Sequence, residues 1–305
     1  MSISASAQHG SLTQLGRWMS LNATEQRRPS AGRDMWMRGI YSDGTYGSDG
    51  NSGGFRFSGG GIVAGLDHRI AQGSTVGLFA GITDSRTTLE NSAGKIDSGG
   101  VRVGGQWRKV VGDVDWSVIG SVGLFNNDAE RNITLPGINR KATAKYRVYD
   151  ISIDGSVAKT IAKVAHMDVK PEMRLGLFST TSEAYRESGA GALDLAVGRS
   201  ESLTGKVSLG GTLVSDPVSF EALRLSVSAF FNHNRKISGD GSQQGFVGAA
   251  QFQADAGRRK DSNFTLGFAV GAGSSTSSWS IEAQHIQGPR ERGTQLVGEY
   301  RLAWY

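Results

Sequence analysis

Three features are scarce or missing in this sequence, and each absence excludes a class of protein. The 305 residues include no cysteine, which excludes a disulfide framework and a thiolate metal site. There are only 5 prolines against 44 glycines, and the glycines alternate with apolar residues instead of clustering with proline, which argues against a disordered chain. No apolar run approaches the roughly 18 residues of a membrane-spanning helix, which excludes a helical membrane protein.

A signal peptide is also missing. The first residues, Met1–Ala7, have neither a basic segment nor an apolar stretch. If the protein resides in an outer membrane, we expect this sequence to be a fragment whose export signal lay upstream and has been removed.

The sequence is rich in amphipathic alternation. From about Asp34 onward, segments with a two-residue period recur every roughly 20–25 residues, which is typical of β-strands. The twelve predicted strands lie within Met35–Tyr46, Gly54–Asp67, Val76–Thr83, Val101–Gln106, Asp115–Leu124, Tyr149–Val157, Met167–Leu177, Val207–Leu213, Leu223–Phe231, Phe264–Val270, Trp279–His285 and Gln295–Trp304. The polar segments Asn126–Lys141 and His233–Asp261 are predicted as loops.

The pattern favours a closed membrane barrel over a soluble β-sandwich. The polar face of a sandwich meets bulk water and is normally rich in Lys and Glu, whereas here that face carries Gly, Ser and Thr with single charges. Small inward residues suit a narrow lumen, and aromatic residues at the end of the last strand, Trp304 and Tyr305, suit the water–lipid boundary. We therefore predict an all-β fold, a twelve-stranded antiparallel transmembrane β-barrel.

The first thirty residues have a different pattern. Apolar residues at helical spacing predict an α-helix of roughly 12–16 residues, and Pro29 with Gly32 ends it. These apolar residues are Leu12, Leu15, Trp18 and Met19. We assign residues 1–31 to a linker and lumen helix and residues 32–305 to the barrel. A helix about 10–12 Å wide would fill a twelve-stranded lumen, although a frayed helix at the rim fits the same pattern.

Several charged residues fall on the predicted inner face of the barrel. They are Arg38, Arg102, Glu172, Arg174 and Arg224. Unpaired charges in a partly dry lumen are costly, so we expect these residues to pair with one another or with the helix. A salt-bridge network is our main interpretation, and a catalytic pair acting on the helix is the alternative.

Other candidate sites are weak. The five histidines have no metal-ligand spacing, and no cofactor motif is present, because the glycine run Gly59–Gly61 opens no helix. His233 is the nearest candidate for the base of a barrel lipase or protease at the outer rim, but its position favours a plain loop or rim residue. The basic loop residues are too dispersed for nucleic-acid binding. They suit the phosphates of lipopolysaccharide, and plain solvated loop charge fits them equally well. These residues are Arg140, Lys141, Arg235, Lys236, Arg258, Arg259, Lys260, Arg290 and Arg292.

Four segments resemble the autotransporter β-domain, the translocator of type V secretion. Tyr185–Leu193 is similar to its Tyr-x-Glu-x-Gly stretch, and Lys170–Gly176 is similar to its proline-bearing strand. Met35–Gly39 and Gly65–Arg69 resemble its first and second strands. The resemblance covers nearly all of residues 10–305. It implies a twelve-stranded bacterial outer-membrane barrel with an α-helix in the lumen.

The resemblance also implies function and partners. The barrel anchors in outer-membrane lipid, carries a covalently linked upstream passenger to the cell surface, and is assembled by the barrel-assembly machinery, which reads a signal that we assign to Tyr300, Leu302, Trp304 and Tyr305. We expect a monomer without catalytic activity. A barrel enzyme and a passive pore are the alternatives.

Two features depart from the family pattern. The helix lacks the Asn-Asn pair at which several members cleave the passenger and offers only Asn22, so we expect the passenger to remain attached unless an external protease acts. The sequence also ends on Trp-Tyr rather than on a single Phe or Trp.

The alternation in the last strand makes a first prediction. An arginine at the lipid-facing Leu302 should cost up to about 2–4 kcal/mol near the bilayer midplane and less towards the interface. Arg301→Lys, one residue away and facing the lumen, should be nearly silent. Heat-modifiable gel migration after expression with an export signal measures assembly, and equal behaviour of the two variants would contradict the assigned strand face.

Overall fold

The computed structural model describes residues 32–48, 53–217, 223–239, 242–247, 250–255, 260–274 and 276–304. The strands, in chain order, are β1 Arg33–Tyr46, β2 Phe55–Ala71, β3 Ser74–Leu89, β4 Gly94–Val111, β5 Val114–Leu135, β6 Ile138–Lys159, β7 Ala162–Val164, β8 Met167–Ser182, β9 Tyr185–Arg186, β10 Leu195–Val197, β11 Ser200–Ser215, β12 Arg224–Ser238, β13 Ser242–Val247, β14 Ala250–Asp255, β15 Lys260–Gly273, β16 Ser277–Gln287 and β17 Glu291–Trp304. Short 3₁₀ helices lie at Glu90–Ser92 and Gly191–Leu193.

Twelve of the described strands form a closed antiparallel barrel. Each of these strands pairs with its neighbours in chain order, and β8 pairs with β11 across the connection that contains β9 and β10. The ring closes between β1 and β17, where Arg33 lies opposite Trp304 and Tyr46 lies opposite Glu291. Because every long strand has two partners, the barrel has no free edge. The predicted twelve-stranded fold is confirmed.

The two ends of the barrel differ. At one end, which we call the turn end, the connections are residues 72–73, 112–113, 160–166, 216–223 and 274–276. At the opposite end, the loop end, they are residues 47–54, 90–93, 136–137, 183–199, 239–259 and 288–290. The longest connections lie at the loop end, and the longest strands, β5 and β6, project there.

Two segments predicted as polar loops contain strands. The first, Asn126–Lys141, continues β5 to Leu135 and begins β6 at Ile138. It still alternates, since Ala129 is buried whereas Asp128 is exposed. Its outer face is polar, so it lacks the apolar face by which the membrane strands were recognised. The second, His233–Asp261, carries the end of β12, the start of β15 and the hairpin of β13 and β14.

The predicted helix around Leu12, Leu15, Trp18 and Met19 lies outside the described residues. In the part of the chain that the structure describes, no helix is long and apolar enough to cross a membrane.

The outer wall carries a belt of exposed apolar side chains. Leu78 is 73% exposed, and large apolar residues at alternate positions of neighbouring strands are exposed with it. Examples are Met37, Ile62, Ile82, Val101, Ile151, Leu175, Leu209, Ile281 and Leu302. A belt of this size on a water-exposed surface would cause association, so its solvent is lipid.

The interior has small apolar clusters instead of one core. Trp36, Ile40, Val63 and Val297 form one such cluster near the closure between β1 and β17. Glycines on neighbouring strands make room for inward aromatic rings, because a Cβ atom at Gly65 would collide with Trp36 and one at Gly104 would collide with Phe79. The glycine content of the chain therefore serves close packing of rings against the wall.

Candidate functional site in the barrel lumen

The lumen is lined by polar side chains, because alternation turns one face of each strand inward. Buried polar residues occur on most strands of the ring, and Gln295 of β17 is fully buried. The charged residues among them are Asp34, Arg38, Asp67, Arg102, Asp150, Asp154, Glu172, Arg174, Glu282, Glu291, Glu299 and Arg301. Positive and negative groups are interspersed along this wall, so the lumen offers local ion pairs instead of one field of a single sign.

Arg38 of β1 binds a carboxylate on β17, across the seam where the first and last ring strands pair. It donates hydrogen bonds from Nε and Nη2 to Oε2 of Glu299 on β17, and the Nε bond is 3.0 Å long. The two residues are directly opposite in the pairing register. This buried ion pair therefore joins the first and last strands by side chains as well as by backbone.

A second ion cluster lies between Arg38 and the turn end. Arg301 Nη1 donates to Asp67 Oδ2 at 2.8 Å and to Asp34 Oδ2 at 3.3 Å. Gln106 Nε2 donates to the other oxygen of Asp67 at 2.6 Å. One guanidinium thus bridges carboxylates from β1 and β2. Both bonds come from the single nitrogen Nη1, and a lysine ammonium can also donate to two carboxylates, so we still expect Arg301→Lys to be nearly silent.

Arg102 on β4 forms the third group of lumen charges. Its Nη2 donates to Asp150 Oδ2 at 2.6 Å, and its Nη1 donates to Ser121 Oγ at 2.8 Å. Ser121 is also 2.7 Å from Ser152. Both members of the ion pair are only 3% exposed, so β4, β5 and β6 are connected inside the barrel by a dry polar chain.

Glu172 and Arg174 pair with each other on β8. Arg174 Nε donates to Glu172 Oε1 at 2.6 Å, and its guanidinium lies 4.0 Å from the centre of the Phe230 ring. Arg224, the fifth predicted residue, lies at the turn end of β12, partly buried and opposite Gly271.

The five predicted lumen charges therefore belong to separate groups and do not form one network. Only Glu172 and Arg174 contact each other among the pairs described above, whereas Arg38 and Arg102 bind carboxylates that the sequence analysis did not select. Those partners, Glu299 and Asp150, fall on the polar faces of their strands. Alternation could have placed them in the lumen, but the choice of partner depends on the register between strands.

The Tyr-x-Glu-x-Gly stretch holds the connection 183–199 against the β5–β6 hairpin. Arg131 Nε and Nη2 donate to the two oxygens of Glu187 at 3.0 and 2.5 Å, and Tyr185 stacks on Tyr146 with ring centres 4.6 Å apart. Burial, and secondarily Glu187, raises the pKa of the Tyr185 hydroxyl above its ordinary value, so it stays neutral. The contact fixes part of the loop end over the lumen.

The outer wall near His233 lacks a complete hydrolytic site. Nδ1 of His233 lies 2.9 Å from Ser262 Oγ, but no carboxylate among the described residues is bonded to the ring. Within the same residues, no three His, Asp or Glu side chains come together as a metal site. The histidine is a rim residue hydrogen-bonded to a neighbouring strand.

Known proteins share this architecture. The family model described as the autotransporter beta-domain matches residues 35–284. The translocator domain of autotransporter NalP from Neisseria meningitidis has a TM-score of 0.72 and 12% identity, with 99% of this chain and 98% of that chain covered. The beta domain of the Bordetella autotransporter BrkA has a TM-score of 0.65 and 17% identity, with coverage of 90% and 100%.

A third structure is more distant. The transport unit of the autotransporter AIDA-I from Escherichia coli gives a TM-score of 0.52 at 11% identity, with 94% of each chain covered. No curated protein sequence matches the chain. At these identities, the structural similarities establish the fold alone.

The buried pair at Arg102 supports a stability prediction. Arg102→Met leaves the Asp150 carboxylate buried without a cation and should lower the free energy of unfolding by about 3–5 kcal/mol. The double variant with Asp150→Asn should recover most of that loss. Urea unfolding of the refolded barrel, followed by tryptophan fluorescence, measures both.

Arg86 provides the matched control. It also binds an aspartate, Asp97, but its side chain is 61% exposed, so Arg86→Met should cost no more than about 1 kcal/mol. Equal losses at Arg86 and Arg102 would show that burial does not set the strength of the lumen pairs.

Proposed function

Because the chain belongs to the autotransporter β-domain family, and is therefore a non-catalytic outer-membrane barrel that mediates export of an attached passenger, we propose that its lumen is built to be occupied and vacated by a polypeptide. The observation that carries this proposal is a closed twelve-stranded barrel whose buried arginines all have carboxylate partners on the wall itself. The family resemblance inferred from the sequence is confirmed.

Pairing of the buried arginines within the wall matters for passage of a chain. Arg38, Arg102, Arg174 and Arg301 all have carboxylate partners on the barrel itself. No charge of these pairs is left buried alone when the lumen is empty, and a passing segment does not need to supply counter-charges. The lumen therefore favours no particular passenger sequence through these residues.

Residues 1–31 form the linker that joins the passenger to the barrel of residues 32–305, and their helix plugs the lumen after export. The size of the barrel supports this assignment. A helix is about 10–12 Å across with its side chains, and a twelve-stranded lumen lies between filled eight-stranded and open sixteen-stranded barrels. The residues that give the segment its helical pattern are Leu12, Leu15, Trp18 and Met19.

The loop end faces the cell exterior and the turn end faces the periplasm. Outer-membrane barrels have short periplasmic turns and longer external loops, and the connections of this barrel divide in the same way. Exported segments then emerge beside the β5–β6 hairpin and the connection 183–199, which the Arg131–Glu187 pair holds together.

Strand β17 acts in assembly. Its outward residues Tyr300, Leu302 and Trp304 are exposed to lipid, and its pairing with β1 completes the barrel. Together with Tyr305 they form the segment that the barrel-assembly machinery recognises. The barrel works as a monomer, since closure leaves no strand edge for another copy.

Lipopolysaccharide is a further partner at the loop end. The basic residues there differ in how available they are to bind a lipid phosphate. Lys141 is bound to Glu130, and Arg140 donates to the carbonyl oxygen of Ala190. Arg292 points outward without such a partner among the described residues and is the best placed for a lipid phosphate.

Export of a fused reporter tests the function. With a signal peptide and an epitope-tagged reporter placed upstream of residue 1, the reporter should become accessible to protease added to intact cells. A matched chain that lacks residues 291–305 cannot close the barrel and should leave the reporter inside. A heat-modifiable, assembled barrel whose reporter stays in the periplasm would contradict the translocator function.

Ion conductance tests the plug. Deletion of residues 1–30 should leave a folded barrel, because the described ring does not include them, and should raise conductance in planar bilayers. The deletion should also leave the heat-modifiable migration unchanged. Equal conductance with and without the segment would remove the plug assignment while leaving export untouched.

A further inference from the structure

The outer wall carries an open cleft at the loop end that passenger export does not use. Its volume is about 550 Å³, and it crosses β16, β17, β1, β2 and β3. Its charged and titratable lining consists of Arg56, Arg86, Arg292, His285 and Asp43. Between them lie the hydroxyl groups of Thr45, Ser58, Thr88 and Thr294. All of these side chains belong to the outward face of their strands.

The pairing register places the cleft at the edge of the lipid-facing belt. Tyr41 and Leu296 lie opposite each other and are the last large exposed apolar residues on the described parts of β1 and β17 towards the loop end. Thr45, four residues beyond Tyr41, lies opposite both Arg292 and Arg56. At about 3.4 Å per residue and a tilt near 40°, four residues rise about 10 Å.

That height matches the lipid headgroups. Each interfacial layer of a bilayer is about 5–8 Å thick, beyond a hydrocarbon core of about 30 Å. Arg86 and His285 lie one step lower, because they pair with Ser58 and Thr294, two residues nearer the belt. The cleft therefore spans the headgroup layer and the first few ångströms of water above it.

The cleft has a surplus of positive charge. Arg56 and Arg292 form no ion pair or side-chain hydrogen bond with any residue of the described ranges. Arg86 is bound to Asp97, and Asp43 contributes one negative charge to the lining. Two unpaired arginines against one aspartate leave a net attraction for anions.

Outward lysines further round the wall are paired with carboxylates of neighbouring strands. Lys95 and Lys141 both bind Glu130, and Lys145 binds Asp128 at 3.2 Å. In the cleft, by contrast, Arg56 and Arg292 lie on either side of Thr45, and no carboxylate of the described residues is bonded to either guanidinium.

We propose that the cleft binds the phosphorylated sugar headgroup of a glycolipid in the outer leaflet. Guanidinium groups bind phosphate through two parallel hydrogen bonds, and the threonine and serine hydroxyls match those of a sugar. The acyl chains would lie along the exposed belt at Tyr41, Ile62 and Leu296. The inference deepens the lipopolysaccharide contact of the proposed function, and it rests on that function for the orientation that puts the loop end outside.

Lipid binding to the full chain, refolded in an uncharged detergent, tests the site. The probes are lipid A with both phosphates, the same lipid without phosphate, and inorganic phosphate. Arg56→Gln with Arg292→Gln should weaken binding of the phosphorylated lipid about 10- to 30-fold. The lipid without phosphate should bind all proteins equally and more weakly, and excess inorganic phosphate should not displace lipid A.

Lys109→Gln with Lys159→Gln is the matched control. It removes two outward charges at the turn end and should leave lipid A binding unchanged. Thr45→Asp adds a negative charge between the two arginines and should produce the same loss as the cleft variant, which covers a failure of that variant to refold.

Equal binding of phosphorylated lipid A to the wild type and both cleft variants would overturn the site, as would equal losses in the cleft and turn-end variants. Displacement by inorganic phosphate would show a free-anion site instead of a lipid site. The export assay is independent of these results, so a barrel that exports its passenger but fails here loses the glycolipid site alone.

Discussion

The fold depends on one constraint, which is that every backbone hydrogen bond in the membrane must be made inside the protein. A sheet meets that constraint only by closing, and here closure depends on the pairing of β1 with β17, which lie at opposite ends of the chain. The Arg38–Glu299 pair and the Arg301 cluster add side-chain bonds at the same seam. The pairing of β1 with β17 is therefore the step that completes the barrel.

Closure inverts the usual distribution of side chains. The apolar face of each strand meets lipid and the polar face meets a narrow lumen. Charged side chains are therefore the ones that become buried inside the barrel. Buried charges are costly unless they are paired, and the pairs at Arg38, Arg102 and Arg174 meet this cost within the wall itself. Arginines that are paired within the wall need no counter-charge from the lumen contents, which suits a translocator whose lumen is emptied and refilled.

The two surfaces of the loop end have different surroundings. The inner surface is partly covered by the connection 183–199, held through Glu187 and Tyr185. The outer surface carries paired lysines on β4 and β6 and a cleft in which Arg56 and Arg292 lie on either side of Thr45. Two guanidinium groups brought together on neighbouring strands form a local cationic surface that attracts an anion.

The sequence by itself determined the fold class and the strand faces, because a two-residue period assigns each side chain to one face whatever its partner is. Arg301 was correctly expected inside, and Leu302 outside. The prediction of a loop at Asn126–Lys141 was wrong, because the two strands continue there beyond the lipid-facing belt and their outer face becomes polar.

Only the tertiary structure decided which charges meet. Arg102 and Asp150 are 48 residues apart, and Arg38 and Glu299 are 261 apart, so no local pattern links them. The same holds for the outer cleft, where Arg56 and Arg292 become neighbours through Thr45. Alternation depends on the geometry of one strand, whereas partners depend on the register between strands, which is set only when the whole ring closes.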